Sequence, residues 1–453
     1  MTDASRERGI IATVALATML APLNSTMIAV ALPRVIEEFG SDVSGAGWLV
    51  TVYLITMASL QPVAGKLGDR FGRRPLILGG VTCFGLASIA AAWAPSLPAL
   101  LTFRVLQAVA GAIALPNGAA LLREVIPPER RAGRYGLVGA AIAFAAAAGP
   151  PLGGFLVKHG GWQALFEVNL VLVVPAVAIG WRSVPVTPVL DTQHKFDVSG
   201  SLLLLALLVG GAAVLTNGAR FGGTLGALVG LGTLAAIFLR RELRHPDPVL
   251  QPRLFRSRTF ASANAAISLS NLAMYTTLLA IPILLSRRPG WGSDEVGLVL
   301  AAMSTGMVVL SPMGGRLAAY LGRRWPTVIG LFLLSLGLLP LAWSGGAVST
   351  YALLGGLGLA GAGLGLSGAG LQTSAVEAVA VKDSGVASGV FSTSRYLGSI
   401  VGSSVLGGML GTAADGVAGF KPVFVMAAAA AFLSAFASVG LHDHPRKVEM
   451  PTA

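Results

Sequence analysis

Charge is what this sequence lacks most: 11% of its 453 residues are Asp, Glu, Lys or Arg, while 54% are hydrophobic. A soluble domain carries roughly a quarter charged residues, so this chain cannot cover a water-facing surface of its own size. Aromatic residues are few, at 7%, and glycine (59) and alanine take their place. Small residues let helices approach closely in lipid, where packing replaces the hydrophobic drive between them. The single cysteine, Cys83, excludes a disulfide within the chain and a cysteine metal cluster; lying in an apolar run, it is expected to be a small core residue. Glycine-rich runs lack the Gly-Lys-Ser/Thr ending of a phosphate loop. The five histidines (His159, His194, His245, His442 and His444) fall in loops or the tail. No enzyme chemistry, cofactor or metal is expected.

What the chain has instead is long hydrophobic runs. A spanning helix needs about 20 mainly apolar residues to cross about 30 Å of hydrocarbon. Fourteen segments qualify: 10–32, 46–64, 75–94, 98–121, 133–157, 163–181, 198–216, 223–239, 260–285, 295–314, 326–344, 350–372, 385–411 and 421–441. The first follows a short charged N-terminus without a small-residue cleavage site, so it reads as a span and not as a removed signal peptide. Fourteen spans place both termini on one side. Most of the 32 lysines and arginines then share that side. Only Arg34, Lys158, Arg220, Arg287, Arg288 and Lys421 face the other, and Arg104 and Arg395 lie inside spans. By the positive-inside rule the termini are cytoplasmic. The net charge of +12 is therefore topological, with anionic lipid contact as a secondary effect, and nucleic acid is not an expected partner.

Two turns echo each other. Gly65-Lys66-Leu67-Gly68-Asp69-Arg70-Phe71-Gly72-Arg73-Arg74-Pro75 follows the second segment, and Gly315-Arg316-Leu317 with Leu321-Gly322-Arg323-Arg324-Trp325-Pro326 follows the tenth. Proline opens the next helix in both, where its missing N–H costs nothing. Corresponding loops in two halves suggest parallel repeats around a central path. The charged stretches 182–196 and 240–258 divide the chain into six, two and six segments. The expected architecture is all-α and polytopic. It has an N-terminal six-helix bundle (1–190), an inserted transmembrane hairpin with a cytoplasmic linker (191–258), and a C-terminal six-helix bundle (259–453).

Six stretches, in order, resemble the major facilitator superfamily and within it the fourteen-helix drug:proton antiporters. They are the loop Gly65 to Arg74; Arg104-Val105-Leu106-Gln107-Ala108-Val109-Ala110-Gly111; and Gly149-Pro150-Pro151-Leu152-Gly153-Gly154, which looks like the fifth-helix motif of exporters. The others are Trp162 through Phe166 to Asn169, Phe196-Asp197-Val198-Ser199-Gly200, and Arg395-Tyr396-Leu397-Gly398. The resemblance covers nearly the whole chain and implies the major facilitator fold with alternating access. The stretch Leu23 to Pro33 also looks like the family's first-helix motif, which usually has Asp where this chain has Asn24. In the family that acid is associated with proton coupling and cationic substrates. Asn24 cannot titrate, so that chemistry does not carry over automatically.

Several residues are candidates for function. Asp69 with Arg70, Arg73 and Arg74, beside Gly65, Gly68 and Gly72, forms a charge cluster at helix ends, where carboxylates are favoured at N-termini and arginines bridge to neighbours. It reads as a conformational latch; the alternative is a basic loop that only sets topology. Gly149, Pro150, Pro151, Gly153 and Gly154 suit a gate at the seam between bundles, or an ordinary helix kink. Arg104, several residues inside its span, is costly there and thus a functional candidate: it would bond Asn24, help move a proton or contact an anion, unless it snorkels outward. Glu167 is the best membrane-embedded acid, where burial would make it a proton carrier, the alternative being an exposed carboxylate at the interface; Asp69 joins it as a coupling candidate. Glu124 and Glu377 mark cytoplasmic helix ends, and Asp294 and Glu295 an outer one. Asn24, Met27, Tyr53, Gln61, Gln107, Asn117, Asn264, Asn271, Tyr275, Gln372, Arg395 and Tyr396 are pocket candidates, since apolar walls with a few polar groups suit hydrophobic ligands. Trp48, Trp162, Trp181 and Trp291 are expected at the membrane interface.

The expected function is export of hydrophobic drugs or secondary metabolites across the inner (plasma) membrane by a monomer in contact with lipid. Export rests on the Gly149–Gly154 resemblance, and drive by proton entry rests on the family. Two alternatives stand: a transporter of lipid or an anionic amphiphile, and a non-transporting membrane sensor or scaffold.

Overall fold

The computed structural model describes residues 3–186, 197–217, 224–245, 248–344, 347–380, 384–411 and 419–442, with backbone alone at 3–4, 62–63, 65–66, 69, 115, 128–129, 131–133, 135–136, 217, 224, 384–385 and 411. Helices occupy every expected segment. In chain order they are α1 (Asp3–Phe39), α2 (Val43–Phe71), α3 (Arg73–Ala92), α4 (Leu97–Val125), α5 (Pro128–Gly160), α6 (Ala164–Glu167), α7 (Asn169–Ser183), α8 (Val198–Asn217) and α9 (Thr224–Arg244). After a 3₁₀ turn (Pro252–Arg256) come α10 (Arg258–Ser286), α11 (Ser293–Tyr320), α12 (Arg324–Ser344), α13 (Thr350–Glu377), α14 (Ser384–Gly411) and α15 (Phe420–Ser438). Polar side chains set several starts: Asp42, Ser96, Ser257 and Ser349 each accept from the backbone N–H three residues on, satisfying donors that have no helical partner.

Among the described residues, 12 helices are long and apolar enough to cross a membrane, with α6 and α7 counting as one. Twelve of the fourteen expected spans meet that measure. In α9 the last turns carry Arg240, Arg241, Glu242 and Arg244, which crowd charge onto the end of its apolar stretch. In α14 the apolar run is broken by Arg395 and a series of serines.

Packing follows the sequence halves. In the first, α1 lies against α5, α7 and α4, and α4 lies against α2 and α3; in the second, α13 lies against α11 and α12, and α10 against α14 and α15. Backbones come close at glycines: a methyl group on Gly314 would sit 2.5 Å from Leu366 O, and one on Gly330 2.6 Å from Gly363 O. The halves meet through α5 with α11, α2 with α14, and α1 with α10, while α8 leans on α2, α14 and α9.

The repeated turn is visible in the backbone. Gly72, between α2 and α3, has φ +83°, and Gly322, before α12, has φ +84°, a region that disfavours any residue with a Cβ. The adjoining arginines act alike: Arg73 Nε pairs with Glu124 Oε1 at the end of α4, and Arg323 Nη2 with Glu377 Oε2 at the end of α13, each at 2.5 Å. Arg74 Nη2 donates to Trp181 O at 2.7 Å, Arg6 Nε donates to Ser183 O, and Arg130 and Arg134 pair with Glu7. One end of the molecule is therefore a basic face stitched by ion pairs.

One expectation about placement fails. Cys83 is exposed, on the side of α3 turned away from the core, because a bundle immersed in lipid keeps apolar residues outside as well as inside. Trp162 is buried and donates Nε1–H to Glu38 Oε2 at 2.5 Å, so it anchors a loop to α1, whereas Trp181 is exposed.

Candidate functional site

Arg104 on α4 is the centre of the buried polar network, with no exposed surface. Its Nε donates to Leu49 O on α2 at 3.3 Å. Its Nη1 donates to Asn24 Oδ1 on α1 at 3.4 Å and to Gln107 Oε1, one turn along α4, at 3.1 Å. The network continues outward: Gln107 Nε2 donates to Ser88 Oγ on α3 at 2.7 Å, and Asn169 Nδ2 donates to Ser88 Oγ at 3.1 Å and Asn24 Oδ1 at 3.3 Å. Asn24 Nδ2 donates in return to Asn169 Oδ1 at 2.5 Å. Five helices are tied together without a carboxylate.

A guanidinium buried among neutral amides needs other compensation, because an uncompensated interior charge is expensive. The Arg104 Cζ lies 4.5 Å from the centre of the Tyr53 ring and 5.8 Å from that of Phe166, and a desolvated cation–π contact contributes about 2 kcal/mol. Arg104 Nη2 and the Tyr53 hydroxyl have no hydrogen-bond partner among the described residues. The arrangement is a fixed positive centre with donor capacity to spare.

The glycine-proline stretch of α5 forms the joint between halves. Gly149 and Gly153 face α1, where a methyl on Gly149 would overlap Thr26 and one on Gly153 would sit 3.0 Å from Met27 O. Gly154 faces α11: a methyl there would overlap Ser293 O and lie 3.0 Å from the Gly297 Cα, and one on Gly297 would lie 2.6 Å from Pro150 O. Beyond this bare contact, Lys158 Nζ reaches Asp294 Oδ2 at 2.6 Å. Further inter-half contacts join Thr51 to Ser403 at 2.9 Å, Gln61 to the Tyr396 hydroxyl at 3.2 Å and the Tyr275 hydroxyl to Ser25 at 3.3 Å. The α5–α11 joint lies at the ends of the helices remote from the basic face.

The structure gathers only some of the expected site residues. Asn24, Arg104, Gln107 and Tyr53 belong to one network; Ser88 and Asn169, essential to it, were not among the candidates. Met27 is buried against Gly153. Asn117 donates to Ala64 O at 2.9 Å and presses on Gly68, where a methyl would overlap its side chain. Asn264 accepts from Ser394 Oγ, and Asn271 bonds its own helix at Ile267 O. Gln372 and Arg395 are exposed, Arg395 lying 5.6 Å from the Tyr396 ring. Of the two readings of Glu167, the exposed carboxylate is the one seen: it is exposed at the end of the four-residue α6, where the chain breaks before α7. Gly65 and Asp69 are described in their backbone alone; of their neighbours, Arg70 is exposed and stacks on Phe71 at 5.6 Å. A groove of about 560 Å³ opens between α1 and α5, walled by Ile11, Ala15, Met19, Leu137 and Phe144 and flanked by Arg8 and Arg134. None of the expected pocket residues lines it.

Comparison with known proteins places these features in context. The Major Facilitator Superfamily profile matches residues 14–239 and 263–452. An uncharacterized MFS-type transporter of Bacillus subtilis, YvkA, is 33% identical over 449 residues, covering 99% of each chain. The tetracenomycin C resistance and export protein of Streptomyces glaucescens is 30% identical over 403 residues, 87% of this chain and 74% of its own. In three dimensions the chain is similar to the xylose transporter XylE of E. coli in an inward open conformation. The TM-score is 0.67 at 15% identity, over 97% of this chain and 98% of that one; a likeness at such identity speaks for the fold alone.

Proposed function

Because this chain belongs to the major facilitator superfamily, we propose that it is a secondary active efflux transporter that moves hydrophobic drugs or secondary metabolites out of the cytoplasm by alternating access, driven by proton influx. It is a membrane-embedded transporter and not an enzyme. The observation that carries the proposal is the α5–α11 joint. Gly154 and Gly297 meet backbone to backbone, so the halves part there without withdrawing interlocked side chains, and Lys158–Asp294 closes the joint when they return. Surface-exposed pairs of this kind are weak because water screens them, which suits a contact made and broken in every cycle. Export of apolar cargo is supported by the glycine-proline motif, by the apolar groove beside α1 and by the name of the Streptomyces relative.

In the same reading α8 and α9 are an added transmembrane pair and α14 also spans, giving fourteen. The basic face is cytoplasmic, both termini lie there, and the protein works as a monomer in the inner membrane. The loop Gly65–Arg74 acts as the latch on that face. Asn24 accepts from Arg104 where an acid would titrate, so protons do not enter through position 24.

One observation favours a second reading. The positive centre at Arg104, unpaired by any carboxylate among the described residues and with Nη2 free, suits an anionic amphiphile.

Sealed inverted vesicles with an imposed pH gradient separate the two. Gradient-driven transport of a lipophilic cationic or neutral dye supports the first, whereas transport confined to anionic amphiphiles and indifferent to the gradient supports the second. Asn24→Asp sets a carboxylate beside Arg104 and is expected to make transport more steeply dependent on pH. If neither cargo class moves in any gradient, transport of both is refuted.

A further inference from the structure

A second buried polar cluster lies apart from Arg104, where α8 begins and α9 ends. Asp197 and Glu242 are 3% and 2% exposed, the only buried acids among the described residues. One oxygen of each is occupied. Asp197 Oδ1 accepts from Gly200 N at 2.8 Å and pairs with Arg241 Nη2 at 2.7 Å, and Glu242 Oε2 accepts from Leu250 N at 2.6 Å. The other two, Asp197 Oδ2 and Glu242 Oε1, have no hydrogen-bond partner among the described residues. Both turn into the same space beside Gly200, where an added methyl would overlap the first and sit 2.8 Å from the second. His245 Nδ1 stands 3.8 Å from Asp197 Oδ2.

Two ionised carboxylates in one buried space repel each other and leave two acceptors unsatisfied. A single proton between the free oxygens turns one acceptor into a donor, satisfies both, and leaves one negative charge opposite Arg241. We propose that Asp197 and Glu242 form a proton-binding site that holds one proton between them at neutral pH and thereby fastens the start of α8 to the end of α9.

The surroundings fit. Burial raises the Glu242 pKa above the usual carboxylate value, as does the Asp197 charge, while the Leu250 N–H, Arg241 and His245 act against it. Arg253 of the 3₁₀ turn donates to Leu243 O. The far end of α8 meets α14 at Ser404 and Gly408, near where Ser44 at the start of α2 meets Gly407. Asp197 therefore sits level with the first turns of α14, short of Arg395, and with the last turns of α2. There Lys66 and Asp69 have side chains outside the described residues, and Arg70 stacks on Phe71. The site is thus on the basic face, and it does not depend on which substrate is carried.

Since burial raises the pKa in the folded state, the stability this proton confers is present at low pH and is lost as pH rises through the pair's titration. Infrared difference spectra of the full chain in detergent micelles test the proposal. A protonated-carboxyl carbonyl band, shifted in heavy water, is expected to persist to neutral pH and vanish on further alkalinisation. Glu242→Gln, whose amide donates where the proton did, is expected to abolish the band and to flatten the fall of melting temperature over the same pH window. Asp197→Asn removes the like charge and is expected to move the transition to lower pH by at least about one unit, a tenfold change in proton affinity. This variant keeps the test open should Glu242→Gln fail to fold. Absence of the band at neutral pH, or a band unchanged by both substitutions, overturns the proposal. So does displacement of the band by millimolar Mg²⁺ or Ca²⁺ with a matching rise in melting temperature, which would make the pair a cation site.

Discussion

Asn24 illustrates how much one neutral side chain decides. Its carbonyl accepts from both Arg104 and Asn169, and its amide returns a bond to Asn169. Asn24→Ala strands two buried donors, each costing about 1–3 kcal/mol, and is expected to lower the melting temperature in detergent; an unchanged melt would show that the network re-pairs. Arg104→Lys keeps the charge but loses the planar fork that reaches Leu49, Asn24 and Gln107 at once. Transport is expected to fall at least tenfold in that variant while insertion is retained, as read by vesicle flux beside membrane yield. Arg104, Asn24 and Gln107 were legible because polar groups inside apolar runs stand out. Ser88 and Asn169 were not: a serine bonds its own helix cheaply in most settings, and only the meeting of α1, α3, α4 and α7 gives these two partners distant in sequence.

Among the helices, glycine position carries the information. Gly154→Val places branched methyls into the backbone of Ser293 and Gly297. The halves are then expected to stay apart at this joint, with flux abolished and the chain still inserted; flux at the native level would mean that α5 and α11 need not touch. Gly72 and Gly322 hold φ near +84°, so Gly72→Ala and Gly322→Ala are each expected to destabilise by about 1–3 kcal/mol, seen as similar drops in thermal midpoint. Their equivalence was readable in the repeated Gly-Arg-Arg. The ion pairs beside them were readable only in part, since Glu124 and Glu377 appeared as helix-end acids without partners. The twelve apolar helices were nearly all legible from hydropathy, because spanning lipid demands long uninterrupted runs. The break between α6 and α7 was not, as local hydropathy does not register a turn that leaves the chain apolar on both sides.

For the whole molecule, the relation between the halves governs function. With Cys83 replaced by serine, Lys158→Cys with Asp294→Cys is expected to accept a short bismaleimide bridge across the joint that the 2.6 Å ion pair now closes. Bridging should stop flux, whereas modifying either cysteine alone should leave most of it. Flux that survives the bridge would separate transport from opening at α5–α11. Residue order alone specifies the solvent: too little charge for water, runs long enough for lipid, and basic loops alternating with them. Those properties are sums over neighbours in the chain, so they survive without coordinates. Which polar groups meet was decided only by tertiary structure. Glu167, acidic and near a span, was placed outside the network, and Asp197 and Glu242, lying in segments that read as a span edge and a linker, were buried together. Burial is a property of what the rest of the fold brings alongside, and for Asp197 and Glu242 the partners Arg241 and Leu250 lie on another helix and at a turn whose direction the linear order does not specify.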